Sequence, residues 1–372
     1  MPSQNAKKHI TDLLSFAGIT INGTNPGDIQ VHSENFYKKV LTGGTLALGE
    51  TYMEKWWDCE HLDEFFTHVL KANLENRIKK NPRLVVEILF SKIFNLQKKS
   101  DVFSNVKHYD LDNELFKKML DRRMIYTCGY WKNATTLDEA QDNKLDLVCK
   151  KLYLQPGMHI LDIGCGWGGF AKFAVEKYSV KVTGITVAEE QQRLAQKVCD
   201  GLPVEIKLMD YRDVKGKYDR IVSLGMFEHV GYKNYRTYMQ VADNCLKAEG
   251  LFLLHTMGNI FTRTYPEPWM SKYIFSNYTV PSIKQMGEAI EGIFIMEDWH
   301  NFGTDYDKTL MAWYHNFVSN WDDLKERYDE TFFRMWSYYL LLCAGNFRSK
   351  RNMLWQIVLA KKGREEIYVS IR

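Results

Sequence analysis

The 372-residue sequence predicts an α/β protein, with a seven-stranded, mostly parallel sheet and a smaller N-terminal helical domain. Three observations carry this. From Met158 onward short apolar runs alternate with helical patterns, which implies right-handed βαβ crossovers and parallel strands. The first run, Ile160-Leu161-Asp162-Ile163, enters a glycine-rich turn, Gly164-Cys165-Gly166-Trp167-Gly168-Gly169. Before about residue 100, apolar positions recur at helical intervals instead.

Taken in order, helices are expected over 10–17, 35–41, 62–70 and 84–94, punctuated by Gly43-Gly44 and Gly49. The polar break Lys98-Lys99-Ser100-Asp101 closes this module, giving an N-terminal helical domain over 1–100 and a catalytic domain over 101–372. His108-Tyr109-Asp110 then precedes a short helical pattern ending at Leu120, and a longer helix is expected over 137–152. Strands follow at 158–163, 180–186, 204–209, 218–223, 251–255, 294–299 and 354–359. Helices lie between the early strands, to 177 and over 189–199, and helical patterns at 309–321 and 332–344 separate the last two strands. Ligands in open sheets of this kind bind at the carboxyl ends of the strands.

Hydrophobic content of 45% at this length supports one large or two ordinary cores. A net charge of +3, from 49 basic against 46 acidic residues, is too balanced for bulk nucleic-acid binding. Lys79-Lys80, Lys98-Lys99, Arg122-Arg123 and Lys361-Lys362 are local basic clusters of the kind that meet anionic headgroups or water. The first residues lack the apolar core of a signal peptide, and no apolar run approaches the roughly 20 residues that span a bilayer, so a cytoplasmic protein is expected. Seven cysteines without C-x-x-C pairs offer neither a disulfide framework nor zinc-ligand spacing. Aromatic content of 14%, much of it outside the cofactor core, suits packing or the lining of a pocket for a long apolar substrate.

Glycines 164, 166 and 169 satisfy G-x-G-x-x-G, which lets backbone N–H groups approach a ligand at a helix start. Spacing alone admits a dinucleotide or a methyl donor. Asp162 tilts the choice, because a carboxylate at the strand tip repels a pyrophosphate but can hold the ammonium of S-adenosylmethionine. The next strand ends in Thr186, not in the acid that a nicotinamide enzyme places on its ribose diol. Further along, Glu228 follows the fourth strand in Gly225-Met226-Phe227-Glu228-His229-Val230-Gly231, near the sulfonium end of such a donor. His255 ends the fifth strand, before Thr256-Met257-Gly258. Each has an ordinary structural alternative: Glu228 as a helix-capping acid, His255 as a histidine bonded to backbone, Tyr314 as core at helical spacing, and Cys128 as a small buried thiol.

Taken with Leu46-Ala47-Leu48-Gly49-Glu50-Thr51-Tyr52-Met53, Trp56-Trp57, His108-Tyr109-Asp110 and Tyr126-Thr127-Cys128-Gly129-Tyr130-Trp131, these residues make the chain resemble the cyclopropane-fatty-acyl-phospholipid synthases. The resemblance covers nearly the whole chain. It continues through Glu297-Asp298-Trp299-His300-Asn301-Phe302-Gly303 and Cys343-Ala344-Gly345-Asn346-Phe347-Arg348. Two positions depart from the family's commonest spelling, Asp112 for glycine and Thr127 for serine; Thr127 keeps the hydroxyl.

The resemblance implies a class I S-adenosylmethionine methyltransferase fold, Rossmann-like, acting on a cis double bond of an acyl chain in a membrane phospholipid. It implies bicarbonate as the base, held by Cys128, Glu228, His255, the backbone of Met257, and Tyr314, and it brings Cys343 forward as a candidate nucleophile. For the cofactor it implies Tyr126, Thr127, Asp162, Gly164, Cys165, Gly166, Gly168, Thr186, Gln191, Asp210, Tyr211 and Arg212, with Tyr211 flanking the adenine and Asp210 accepting from its amino group. A homodimer in peripheral contact with the inner face of the membrane is implied as well. An alternative within the class is a methyltransferase that makes methyl-branched or methoxylated chains, and a dinucleotide oxidoreductase and a silent lipid-binding protein are alternatives outside it.

Overall fold

The structure, a computed structural model, describes residues 3–74, 113–276 and 278–372. The expected helix 84–94, Lys79-Lys80, Lys98-Lys99-Ser100-Asp101, His108-Tyr109-Asp110 and Asp112 lie outside the described residues. Contacts divide the chain into two compact units, one of Met1–Ser104, Glu267–Ser276 and Trp313–Arg351, the other of Asn105–Pro266, Asn277–Ala312 and Asn352–Arg372.

Among the described residues of the second unit, seven strands form one sheet. They are β1 (His159–Ile163), β2 (Lys181–Thr186), β3 (Val204–Leu208), β4 (Tyr218–Leu224), β5 (Leu246–Asn259), β6 (Phe294–Asn301) and β7 (Asn352–Lys361). Their order is β3-β2-β1-β4-β5-β7-β6, and β7 runs antiparallel to both of its neighbours. β1 is buried from its second residue on, as a strand covered by helices on both faces must be. One face is packed by Leu161, Ile163, Phe227, Tyr238 and Met239, the other by Val148, Leu152, Phe170 and Ala174. After β3 the chain returns to the far side of β1 to form β4, so the strand order reverses between β1 and β4. The crevice at such a reversal is where open sheets receive ligands.

The strand expected over 251–255 runs instead from Leu246 to Asn259, because its pairing with β7 continues to Asn259 opposite Asn352. Helices Tyr235–Cys245 and Ile283–Ile290 join the expected elements. Ser282 and Gln285 form a capping box that starts the second of these.

The first unit is mainly helical, with Ser3–Ser15, Asn35–Met53, Leu62–Lys71 and Glu330–Arg348 as its main described helices. The helix expected to stop at residue 41 runs on to Met53 through a kink at Gly44. Its core is aromatic: the buried Trp57 ring lies 5.1 Å from Tyr52 and 5.3 Å from Phe65, and Tyr338 lies 4.9 Å from Phe66. Residues 313–351, read from sequence as part of the catalytic domain, count with this unit. At Gly345 an added Cβ would come within 2.6 Å of the Phe66 Cβ, so the helix Glu330–Arg348 lies directly on Leu62–Lys71. Among the described residues no helix is long and apolar enough to cross a membrane.

Candidate active site

The glycine turn after β1 takes the shape its spacing predicts. Gly164, Gly166 and Gly168 all have positive φ, at 86°, 53° and 84°, a backbone that L side chains resist. The N–H groups of Gly164 and Cys165 both donate to the Ile185 carbonyl, fixing the turn against β2. The helix Gly169–Tyr178 begins where the turn ends. A Cβ on Gly166 would meet nothing within 4 Å, so this edge of the turn is open.

Asp162, one residue before the end of β1, is 1% exposed, and its Oδ2 has no partner among the described residues. Burial pushes its carboxyl up to about 7, opposed by the positive charge of Lys144. An orphaned buried carboxylate beside an open glycine turn fits the ammonium end of S-adenosylmethionine.

At the tip of β2, the Thr186 hydroxyl donates to Gln191 Oε1 at 2.9 Å and accepts from the Ala188 N–H at 3.2 Å. Thr186 and Gln191, both expected at the cofactor, are thus bonded to each other, which turns the amide nitrogen of Gln191 away from Thr186. After β3, Asp210 caps the short turn Tyr211–Asp213 by accepting from the Arg212 N–H, and it is gripped by the Arg212 guanidinium at 2.7 and 2.8 Å. That pair holds the Asp210 carboxyl below its ordinary value. Tyr211 is 6% exposed with its ring 5.0 Å from Tyr238, so most of the ring belongs to the core.

Tyr126 packs 5.2 Å from Phe116. Thr127 accepts from Lys144 Nζ at 2.9 Å, and its carbonyl accepts from Gln141 Nε2 at 2.8 Å. The neighbouring Cys128 is fully buried, its thiol donating to the Gly129 carbonyl at 3.1 Å and receiving a weak bond from Thr309, so burial keeps it a thiol. Thr309 also accepts from the Gly129 N–H and from the Trp131 indole, at 3.1 and 2.9 Å.

Beyond β4 the pairing partner of β5 ends, since Leu224 opposite His255 is its last pair. The Met257 N–H on that side would be orphaned, and Glu228 takes it: Oε1 accepts at 2.6 Å. The expected role of the Met257 backbone in holding an anion therefore cannot use this N–H, which is already bonded. Glu228 is 2% exposed, its Oε2 has no partner among the described residues, and burial raises its carboxyl above the ordinary value. His255 is 1% exposed, with Nδ1 3.4 Å from Gln356 Nε2. An amide N–H on Nδ1 puts the neutral ring's proton on Nε2, which has no partner among the described residues. Burial, with Lys144 and Lys151 adding like charge, holds His255 well below its ordinary value, so the ring is neutral. Glu228 and His255 thus offer one unused acceptor and one unused donor.

Tyr314 and Cys343 belong to the first unit. Burial raises the Tyr314 phenol and pushes the Cys343 thiol up to about 12, the opposite of what activates a cysteine nucleophile. Among the described residues no cluster of ligating side chains could hold a metal ion.

Sequence reading passed over Lys144, Gln141, Thr309 and Gln356. The helix Leu137–Lys151 carried a signal: Gln141 and Lys144 share helical spacing with the apolar Leu145 and Val148, and all four are buried.

A methyl-donor turn, a carboxylate at its strand tip and the strand order 3-2-1-4-5-7-6 define an S-adenosylmethionine-dependent methyltransferase of class I fold. Within that class, residues 96–357 match the family model for mycolic acid cyclopropane synthetase, and the chain belongs to this family. It is 51% identical over 362 residues to the cyclopropane-fatty-acyl-phospholipid synthase of Escherichia coli (strain K12), covering 97% of this chain and 95% of that one. A probable fatty acid methyltransferase of Pseudomonas putida is 35% identical over 71% of this chain and 70% of its own. Among solved structures, mycolic acid cyclopropane synthase CmaA1 complexed with SAH and CTAB superposes with a TM-score of 0.65 at 32% identity, covering 71% of this chain and all of that one. The chain is accordingly an enzyme that transfers a methylene group from S-adenosylmethionine.

Proposed function

We propose that the acceptor is a cis double bond in an unsaturated acyl chain of a membrane phospholipid, that the product is a cyclopropane ring, and that bicarbonate bound at Glu228 and His255 is the base. The observation that carries this is the pair of unused groups, Glu228 Oε2 as acceptor and His255 Nε2–H as donor, both buried and both without partners among the described residues. A small anion bearing one O–H satisfies both: its O–H donates to Glu228 and an oxygen accepts from His255. S-adenosylmethionine supplies an electrophilic methyl, and bicarbonate supplies a base for a proton on carbon that no side chain easily reaches.

The chain's own residues do the rest. Asp162 receives the donor's ammonium, Gly166 leaves room for the donor, and Thr186 with Gln191 offers neutral hydrogen bonds to its diol. Asp210, Tyr211 and Arg212 edge the adenine end. Glu228 and His255 fix the base so that it is aligned before an alkene, a weak nucleophile, arrives. Cys128, the backbone of Met257, and Tyr314 belong to this reading on the resemblance alone. The helical module at the N-terminus docks the enzyme on the bilayer, and homodimerisation belongs to the same reading.

The test is turnover on vesicles of unsaturated phospholipid in carbon-dioxide-free buffer. Activity should collapse without bicarbonate and return when it is added; equal turnover in both buffers removes the anion from the mechanism. A second reading, methyl-branched products, is favoured by the likeness to the Pseudomonas putida protein and is separated by whether an alkene survives in the product.

A further inference from the structure

The helix Leu137–Lys151 grips the segment after Ile125 with one face. Lys144 is fully buried and donates from Nζ to the Thr127 hydroxyl at 2.9 Å. Gln141, three residues earlier and so on the same face, donates to the Thr127 carbonyl at 2.8 Å. The Ala140 carbonyl accepts from the Tyr130 N–H at 2.8 Å, and an added Cβ on Gly129 would come within 3.0 Å of the Ala140 Cβ. Residues 127–130 are therefore held by side chain, backbone and close packing together.

A buried ammonium is costly unless a charge answers it, and the Thr127 hydroxyl is neutral. Two carboxyl groups facing Lys144 favour its charged form, Asp121 from the turn before Ile125 and Asp162 from β1, while Cys128 of the gripped segment faces it as a neutral thiol. His255 on β5 is opposed by it. Asp121 already accepts from the Ile125 and Arg123 N–H groups at 2.8 and 2.9 Å. Asp162 has only Lys144 favouring its charged form, while Cys165, Cys199 and Tyr238 face it from the other elements.

We propose that Lys144 is a positioning residue for the methyl donor: it anchors the Thr127–Cys128 segment and supplies the counter-charge that keeps Asp162 ready to receive the donor's ammonium. This rests on the donor-site reading of Asp162 given above. Burial draws Lys144 down to about 8 and Asp162 up to about 7, so both are mostly charged only in the narrow window between these values. A cationic ligand end drives Asp162 to its carboxylate form and so releases a fraction of a proton near pH 7.

The experiment is calorimetry of the full chain with S-adenosylhomocysteine, which keeps the ammonium and cannot react, across pH and in two buffers of different ionisation enthalpy. The wild type should release protons at pH 7 and lose affinity on the acid side. Lys144→Met, folded by circular dichroism, should bind roughly tenfold more weakly at pH 7, with the acid limb moved up by about one pH unit. Thr127→Val should weaken binding without moving the limb. A Lys144→Met limb that superimposes on the wild type overturns the proposal. Should Lys144→Met fail to fold, Lys144→Gln takes its place: it can still donate to Thr127 but carries no charge, so its acid limb should also move up, and a limb that superimposes on the wild type overturns the proposal. Asp162→Asn should flatten the pH dependence; unchanged binding in Asp162→Asn removes the donor-site reading itself, which the Lys144 result alone does not.

Discussion

Glu228 and Met257 are joined by a 2.6 Å hydrogen bond in which the Met257 N–H donates to Glu228 Oε1. This bond fixes one oxygen of a fully buried carboxyl and points to the other, Oε2, as the working one. Glu228→Gln keeps the Met257 bond through its amide oxygen but replaces an acceptor by a donor at the second position. Turnover on vesicles is expected to fall roughly 100-fold or more, with S-adenosylhomocysteine affinity unchanged within about twofold. Near-normal turnover takes Glu228 out of the base site.

Asp162 links the site to stability. Its folded-state value of about 7 lies above its ordinary 3.8, so the folded protein holds a proton that the unfolded chain has lost. That stabilisation is complete below about pH 4 and is lost as pH rises through about 7. Asp162→Asn, neutral at all pH, escapes the loss. Denaturant melts should show it gaining on the wild type between pH 5 and pH 8, by on the order of 2.5 kcal/mol at most. An equal offset at both pH values contradicts the perturbed carboxyl.

In the proposed reading, Thr186 and Gln191, bonded to each other, offer the donor's diol an amide instead of an acid. Gln191→Ala removes one neutral hydrogen bond and frees the Thr186 hydroxyl, so the dissociation constant for S-adenosylhomocysteine is expected to rise about tenfold. Unchanged affinity by calorimetry would place the diol elsewhere.

Cys343 tests the covalent alternative. With its thiol pushed up to about 12 it carries almost no thiolate at neutral pH. Cys343→Ala is expected to keep turnover within about twofold, and alkylation of this residue at pH 8 to be slow. Loss of turnover with normal donor affinity would restore a nucleophilic role.

Much of the sheet was legible because each buried parallel strand is a short apolar run bounded by polar turns: β1 to β4 fall within a residue of expectation. β5 was read too short, since its first residue pairs with Tyr218 on β4 and its last with Asn352 on β7, contacts distant in sequence. The helix Tyr235–Cys245 goes beyond the expected elements although its buried face, Tyr235, Tyr238, Met239 and Ala242, has the i, i+3, i+4, i+7 spacing of an amphipathic helix. At the site, the glycine turn and Asp162 could be reasoned from chemistry, and Glu228 and His255 from the resemblance. Lys144 shares helical spacing with Leu145 and Val148, but that spacing does not show that its ammonium bonds Thr127 and does not reach water. The mutual bond of Thr186 and Gln191 and the depth of Tyr211 likewise depend on side-chain packing that spacing does not encode.

The most direct measurement is mass spectrometry of unsaturated phospholipid vesicles incubated with the enzyme and S-adenosylmethionine. The product should be heavier by one CH₂ per reacted double bond and should have lost the alkene signal. A mass gain with the alkene retained, or no gain at all, contradicts cyclopropanation of phospholipid acyl chains.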